Sequence, residues 1–121
     1  MQKIQQNEGT AARRRVYLWP KDVTDFHTPE AGEDGLQPQL SLNGGAFSNT
    51  TNVLVYVSNG LYYVELDATE VTTRGVVIVR HKSANTTECQ EAVEIGLSEA
   101  TWMLSMADHW QRMAYQSATG V

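Results

Sequence analysis

The segment NVLVYVSNGLYYVEL, residues 52–66, decides the fold. Its valines alternate with other side chains up to an Asn-Gly pair, and apolar residues alternate again on the return. A period of two is typical of β-strands, in which successive side chains point to opposite faces. Asn-Gly supplies the positive φ angles that a tight hairpin turn requires. The segment therefore predicts an antiparallel hairpin whose return strand turns Tyr62, Val64 and Leu66 towards the core.

Neighbouring segments carry the same strand chemistry, with turn residues between them. They are residues 15–20, 39–42, 75–81 and 91–95. The third is apolar on most of both faces, so we expect it to lie centrally with packing on both sides. The last segment is predicted to turn Val93 and Ile95 inwards. Short strands separated by turn signals indicate a mainly β fold, an antiparallel sandwich or barrel.

The period of the apolar residues changes after Gly96. Residues at steps of three and four then include Trp102, Met103, Met106, Trp110 and Met113. This spacing predicts a C-terminal amphipathic α-helix over residues 97–119. The apolar stripe could cap the sandwich as part of its core, or bury itself against other copies or a neighbouring subunit. We favour the second alternative, because tryptophan and methionine are common at interfaces.

Residues 1–12 are polar and lack an apolar period, which predicts a flexible N-terminal arm. Arg13, Arg14 and Arg15 follow it directly. We interpret them as candidate subunit-interface residues, at a protein docking contact or a solvated strand edge. A phosphate contact is the alternative, but the net charge of −5 makes nucleic acid an unfavourable partner. The predicted organisation is thus an arm at 1–12, a sandwich at 13–96 and a helix at 97–119.

The composition indicates one domain with a core of its own, since 41% of the 121 residues are hydrophobic. No apolar run is long enough to span a bilayer, and the first residues do not resemble a signal peptide. We therefore expect synthesis in a cytoplasm and no membrane partner. The single cysteine, Cys89, excludes an intrachain disulfide and is expected to be a small buried hydrophobe.

The residues that could carry chemistry do not form a recognisable pattern. His27, His81 and His109 share no metal-ligand spacing, so we interpret them as solvated or packed histidines. One loop is crowded with carboxylates, at Asp22, Asp25, Glu30, Glu33 and Asp34. It lacks the alternating ligands and the glycine of an EF-hand. Nucleophile elbows, P-loops and dinucleotide fingerprints are also missing from the sequence. The prediction is a protein that is not an enzyme and holds no metal or cofactor.

The order of the turn motifs resembles a known family. The relevant stretches are Thr28-Pro29-Glu30 and the segments at residues 41–47, 59–70, 75–79 and 93–95. In this order they resemble the small Ig-like β-sandwich module of tailed-bacteriophage virion proteins, which recurs in tail, baseplate, neck and fibre-attachment proteins. The resemblance covers residues 13–95. It is specific in order and spacing, although each motif alone is only turn chemistry.

The resemblance implies an antiparallel Ig-like sandwich that serves as an adaptor or spacer at the tail, neck or fibre base of a virion. Its partners would be other virion proteins, and the helical tail would make it a homo-oligomer, possibly a trimer. The resemblance carries over no catalytic residues. A carbohydrate- or receptor-binding module of the adsorption apparatus is the alternative. That role needs exposed aromatic side chains, whereas we interpret Trp19, Tyr62 and Tyr63 as strand packing.

Overall fold

The computed structural model describes residues 2–97 of the chain. These residues form eight strands and two short 3-10 helices. The strands are β1 Gln2–Gln5, β2 Arg15–Leu18, β3 Gln39–Leu42, β4 Ser48–Asn49, β5 Leu54–Ser58, β6 Leu61–Glu65, β7 Gly75–His81 and β8 Cys89–Gly96. The 3-10 helices are Ala11–Arg14 and Ala68–Val71. The prediction of a mainly β fold is therefore confirmed.

The strands form two sheets. The larger has five strands in the order β1-β8-β7-β3-β4, and the smaller has three in the order β2-β6-β5. All pairs are antiparallel except β1 with β8, which run parallel. The larger sheet is thus mixed, so the prediction of a purely antiparallel fold is corrected at its β1 edge.

The predicted hairpin is present between β5 and β6. Asn59 and Gly60 have φ angles of 51° and 82°, the positive values that the turn requires. A Cβ atom at Gly60 would lie 2.3 Å from the Cβ of Pro29, so this position needs glycine for space as well as for conformation. The predicted core side of β6 is confirmed, because Tyr62 and Val64 are fully buried there.

The two sheets share one hydrophobic core. Its members are Ile4, Val16, Leu18, Leu54, Tyr62, Val64, Leu66, Val71, Val77, Val79, Val93 and Ile95. They come from both sheets and from the segment after β6, so each sheet buries one face against the other. The inward orientation predicted for Val93 and Ile95 is confirmed.

Strand β7 is central in the larger sheet, as predicted. Its Val77 and Val79 are buried, but Val76 on the opposite face is 38% exposed. Within residues 2–97 the prediction of packing on both sides is therefore met on the inner side and only in part on the outer side. Among the described residues a second sheet lies on one side of β7 only, and the outer side is lined by partly exposed groups.

The prediction of a flexible arm at residues 1–12 is wrong for its first part, which forms strand β1. Ile4 is buried opposite Ile95 of β8. The pairing continues past the strand, since Gln6 N–H donates to the Gly96 carbonyl at 2.7 Å and Asn7 N–H to the Val71 carbonyl at 2.9 Å. A polar sequence can form such a strand because the ladder uses backbone groups and one isoleucine supplies the core contact.

The predicted helix at residues 97–119 lies outside the described residues except for Leu97, which is 36% exposed. The same holds for its candidate interface residues, Trp102, Met103, Met106, Trp110 and Met113. Both remain predictions.

Candidate interaction surfaces

The outer face of the three-stranded sheet carries apolar and aromatic side chains. Register places Tyr17 of β2 and Val55 of β5 on either side of Tyr63 in β6, on the face opposite the core. We call this surface the tyrosine face and define it by Arg15, Tyr17, Val55, Leu61, Tyr63 and Glu65. Tyr17 is 37% exposed and Val55 is 38% exposed. A solvent-facing side of an antiparallel sheet is normally polar, so this composition marks a surface suited to a partner.

The side chains of the tyrosine face are held by one another. Arg15 Nε lies 3.3 Å from Glu65 Oε2, and its guanidinium stacks 4.3 Å from the centre of the Tyr63 ring. Tyr17 packs edge-to-face on Tyr63 with 6.0 Å between ring centres. Such a cross-strand cluster has few free rotamers to lose, which lowers the entropy cost of binding a partner.

The three arginines predicted as one interface patch have separate roles. Arg14 donates from Nε to the Leu66 carbonyl at 2.8 Å and from Nη1 to the Glu8 carbonyl at 3.0 Å, so it joins three segments of the chain. Arg15 belongs to the tyrosine face. Arg13 is exposed, and among the described residues its side chain makes no hydrogen bond or ion pair. The three arginines therefore do not form one site for a phosphate group.

The outer edge of β5 is closed by a short segment, residues 33–36, which we call the strap. Leu54 N–H donates to the Leu36 carbonyl, and Gly35 N–H donates to the Leu54 carbonyl, both at 2.8 Å. Tyr56 N–H donates to Asp34 Oδ1 at 2.8 Å. These are backbone groups that an edge strand would otherwise offer to another chain. The strap thus closes the outer edge at Leu54 and at the Tyr56 N–H.

The strap is anchored by Glu33, which is only 1% exposed. Glu33 Oε1 lies 2.9 Å from His81 Nε2 and also accepts a hydrogen bond from Ser83. The Glu33 N–H donates to the Tyr62 hydroxyl at 3.2 Å. The sequence groups Glu33 with the other carboxylates of one loop and does not pair it with His81. Sequence spacing gives no signal for this pair, because 48 residues separate the two.

The grouping of Ser83, Glu33 and His81 is not a nucleophilic triad. Ser83 donates to the carboxylate and not to the imidazole, and both groups use the same oxygen, Glu33 Oε1. A serine nucleophile needs a base that can take its proton and a third group that orients that base. The arrangement therefore lacks the nucleophile–base contact of a triad, and it joins the strap to the end of β7 and the loop after it.

Two other carboxylates of the acidic loop, Asp22 and Asp25, organise local turns. Asp25 accepts hydrogen bonds at 2.9 Å from the backbone N–H groups of His27 and Thr28, and another from the Thr28 hydroxyl. Hydrogen bonds from Thr28 and His27 lower the pKa of Asp25 to about 2. Asp22 likewise accepts hydrogen bonds from the side chain and the backbone N–H of Thr24, and these bonds lower the pKa of the Asp22 carboxyl. Over residues 2–97 no cluster of three or more His, Cys, Asp or Glu side chains is arranged to hold a metal ion.

Cys89 lies opposite His81 in the β7–β8 pairing and is partly buried. Burial raises the pKa of its thiol to about 11. A thiol with so little thiolate is a poor nucleophile, which agrees with the predicted role of a small packed residue.

An open groove of about 1020 Å³ lies on the outer face of the five-stranded sheet. Lys3, Arg74, Val76, Glu94 and Leu97 contribute to its lining. Within the described part of the chain, no helix is long and apolar enough to cross a membrane.

Comparison with known proteins gives no relative. No protein-family model, curated protein or solved structure matches this chain.

Proposed function

We propose that this chain is a structural component of a bacteriophage virion, an Ig-like adaptor or spacer at the tail, neck or fibre base. The observation that carries the proposal is the tyrosine face. It presents aromatic and β-branched side chains to solvent on one side of a small two-sheet body. Aromatic residues and arginine are enriched at protein interfaces, so this surface suits a protein partner. The resemblance of the turn motifs is what makes a neighbouring virion protein the partner that we propose.

A stiff body supports the same function. In the described residues every buried side-chain nitrogen or oxygen has a hydrogen-bond partner. The loop after β6 is fixed by a capping box, in which Asp67 accepts from Thr69 N–H and Glu70 accepts from Asp67 N–H at 2.7 Å. A spacer must transmit position between its neighbours, and fully satisfied polar networks make a fold rigid.

The order of the turn motifs adds independent support from sequence. The Thr28-Pro29-Glu30 loop, the turn after β3 and the β5–β6 hairpin follow the order of the phage module. In the fold two of these stretches are in contact, since the Gly60 turn packs directly against Pro29. Two motifs that are separate in the sequence therefore meet in the fold, at the contact between Gly60 and Pro29.

Residues 97–119 belong to the proposal as a second contact. We expect them to dock on a neighbouring subunit or to assemble copies of the chain, possibly as a trimer. Sedimentation of the full chain and of a chain ending at residue 97 tests this. An oligomer that becomes a folded monomer on truncation supports the second contact, and identical monomers remove it from the proposal.

The function is tested by finding the chain in particles. Phage particles released from the organism that encodes the chain are banded in a density gradient and quantified by mass spectrometry. The proposal expects peptides of the chain to band with the capsid proteins, at a constant ratio across the peak. Their absence from infectious particles would contradict it.

A carbohydrate-binding module of the adsorption apparatus is a second candidate, favoured by one observation. Trp19 is 51% exposed, so its interpretation as strand packing is wrong, whereas that interpretation is right for the buried Tyr62. Exposed rings can stack on sugars. A glycan array separates the two functions, because this candidate requires binding that is lost in Trp19→Ala while the chain still enters particles.

A further inference from the structure

We propose that the outer edge of β5 is a strand-addition site for β5 of a second copy of this chain, and that the strap is its removable cover. The strap occupies the site through two backbone hydrogen bonds to Leu54 and one side-chain hydrogen bond to Tyr56. A pairing strand would use the same outward groups. The strap and a second strand therefore compete for one edge.

The sequence of β5 suits pairing with itself. Strand Leu54–Ser58 has no charged residue and no proline, which are the usual protections of a sheet edge. Two copies related by a two-fold axis would pair antiparallel without opposing like charges. The product is one continuous six-stranded sheet, and it joins the two tyrosine faces side by side. Val55 and Val57, 38% and 45% exposed in the single chain, would lie at the join.

The strap is held by its hydrogen bonds to β5 and by one buried side chain, that of Glu33. Asp34, Gly35 and Leu36 are exposed, and Glu33 is the only buried residue of the four. Gly35 has a φ of 85°, and a Cβ atom added there would meet no other atom within 4 Å, so its backbone hydrogen bond to Leu54 is the contact that holds it. A segment with few apolar contacts opens at low free-energy cost. Loss of the Glu33 contacts to His81 and Ser83 should therefore weaken the strap and raise the fraction of chains in which the edge is uncovered.

The test compares the full chain with Glu33→Ala, and uses Glu91→Ala on β8 as a control. Hydrogen exchange by NMR should accelerate at the amides of Leu54 and Tyr56 in Glu33→Ala, while Val55, whose amide points to β6, stays protected. Sedimentation should give about tenfold tighter self-association for Glu33→Ala than for wild type. The double variant Glu33→Ala/Val57→Lys should lose this increase, because lysine at an edge opposes pairing.

Three results overturn the proposal. These are unchanged exchange at Leu54 and Tyr56, faster exchange without tighter self-association, or tighter association that survives Val57→Lys. If Glu33→Ala does not fold, Asp34→Ala replaces it, since this exposed side chain accepts the hydrogen bond of the Tyr56 N–H. Asp34→Ala should accelerate hydrogen exchange at the Tyr56 amide and tighten self-association by a smaller factor than Glu33→Ala. If either quantity is unchanged, the strap is not the cover of the β5 edge. The experiment measures the isolated chain, so its outcome is independent of whether the chain enters particles.

Discussion

Ile4 of β1 lies directly opposite Ile95 of β8 in the parallel edge of the larger sheet, and both side chains are almost fully buried. This pairing joins the start of the chain to residues 91 positions later. It makes the N-terminal segment part of the core.

Replacement of Ile4 by alanine should lower the free energy of unfolding by about 2–4 kcal/mol, because it removes buried methyl groups and leaves a cavity. Lys3→Ala is the control, since Lys3 is exposed and its ion pair with Glu94 is long at 3.9 Å. Urea titration followed by tryptophan fluorescence measures both. Equal stability of the two variants would indicate that β1 does not contribute to the core.

The regular strands could be predicted from sequence because their signals are local. Alternation in residues 52–66 and the Asn-Gly turn are sufficient for the hairpin, and the β-branched run at 75–81 identifies the central strand. Strand β1 gives no such signal. Its sequence is polar, and its pairing with β8 depends on a contact between the two ends of the described chain.

The interaction surfaces could be predicted only in part. The sequence singled out Arg13, Arg14 and Arg15, but only the structure shows that Arg14 braces the fold while Arg15 joins the tyrosine face. The strap and its anchor were missed, because a glutamate in an acidic loop is exposed far more often than buried. Its partner His81 is brought to it by the sheet and not by the local sequence.

Replacement of His81 by alanine should destabilise the fold by about 3 kcal/mol, since it leaves the buried Glu33 carboxylate with only Ser83 as a side-chain donor. His27→Ala is the matched control, because His27 is exposed. Guanidinium titration at pH 7 measures the difference. If His81→Ala lowers the free energy of unfolding no more than His27→Ala does, the Glu33–His81 pair does not anchor the strap.

The Asp25 carboxyl should titrate by NMR with a pKa of about 2, below the ordinary 3.8. Because the folded pKa is lower than the unfolded one, Asp25 stabilises the fold above about pH 4, and this contribution is lost as the pH falls towards 2. Thr28→Val removes the hydroxyl donor and should raise the pKa of Asp25. Thr24→Val, which changes the partner of Asp22, should leave the pKa of Asp25 unchanged. A wild-type pKa near 3.8 is the contrary result.

Cys89 should react slowly with iodoacetamide, because a thiol pKa of about 11 leaves little thiolate at pH 8. The expected rate is on the order of 100-fold below that of the same chain in denaturant, where the pKa returns to its ordinary value. Mass spectrometry of timed samples measures both rates. Equal rates in the folded and unfolded chain would show that burial does not protect this thiol.

The central claim, that the tyrosine face docks on a neighbouring virion protein, is tested most directly with two matched lysine substitutions. Val55 lies on the tyrosine face and Val76 on the outer side of the larger sheet, and each is 38% exposed. Either lysine can reach solvent in the isolated chain, so we expect both variants to fold with similar stability. Each tagged variant is co-expressed with the wild-type chain during particle assembly, and its share in banded particles is measured by mass spectrometry. The account predicts that Val55→Lys is depleted at least about tenfold while Val76→Lys enters at its share of the pool, and equal incorporation of the two would contradict it.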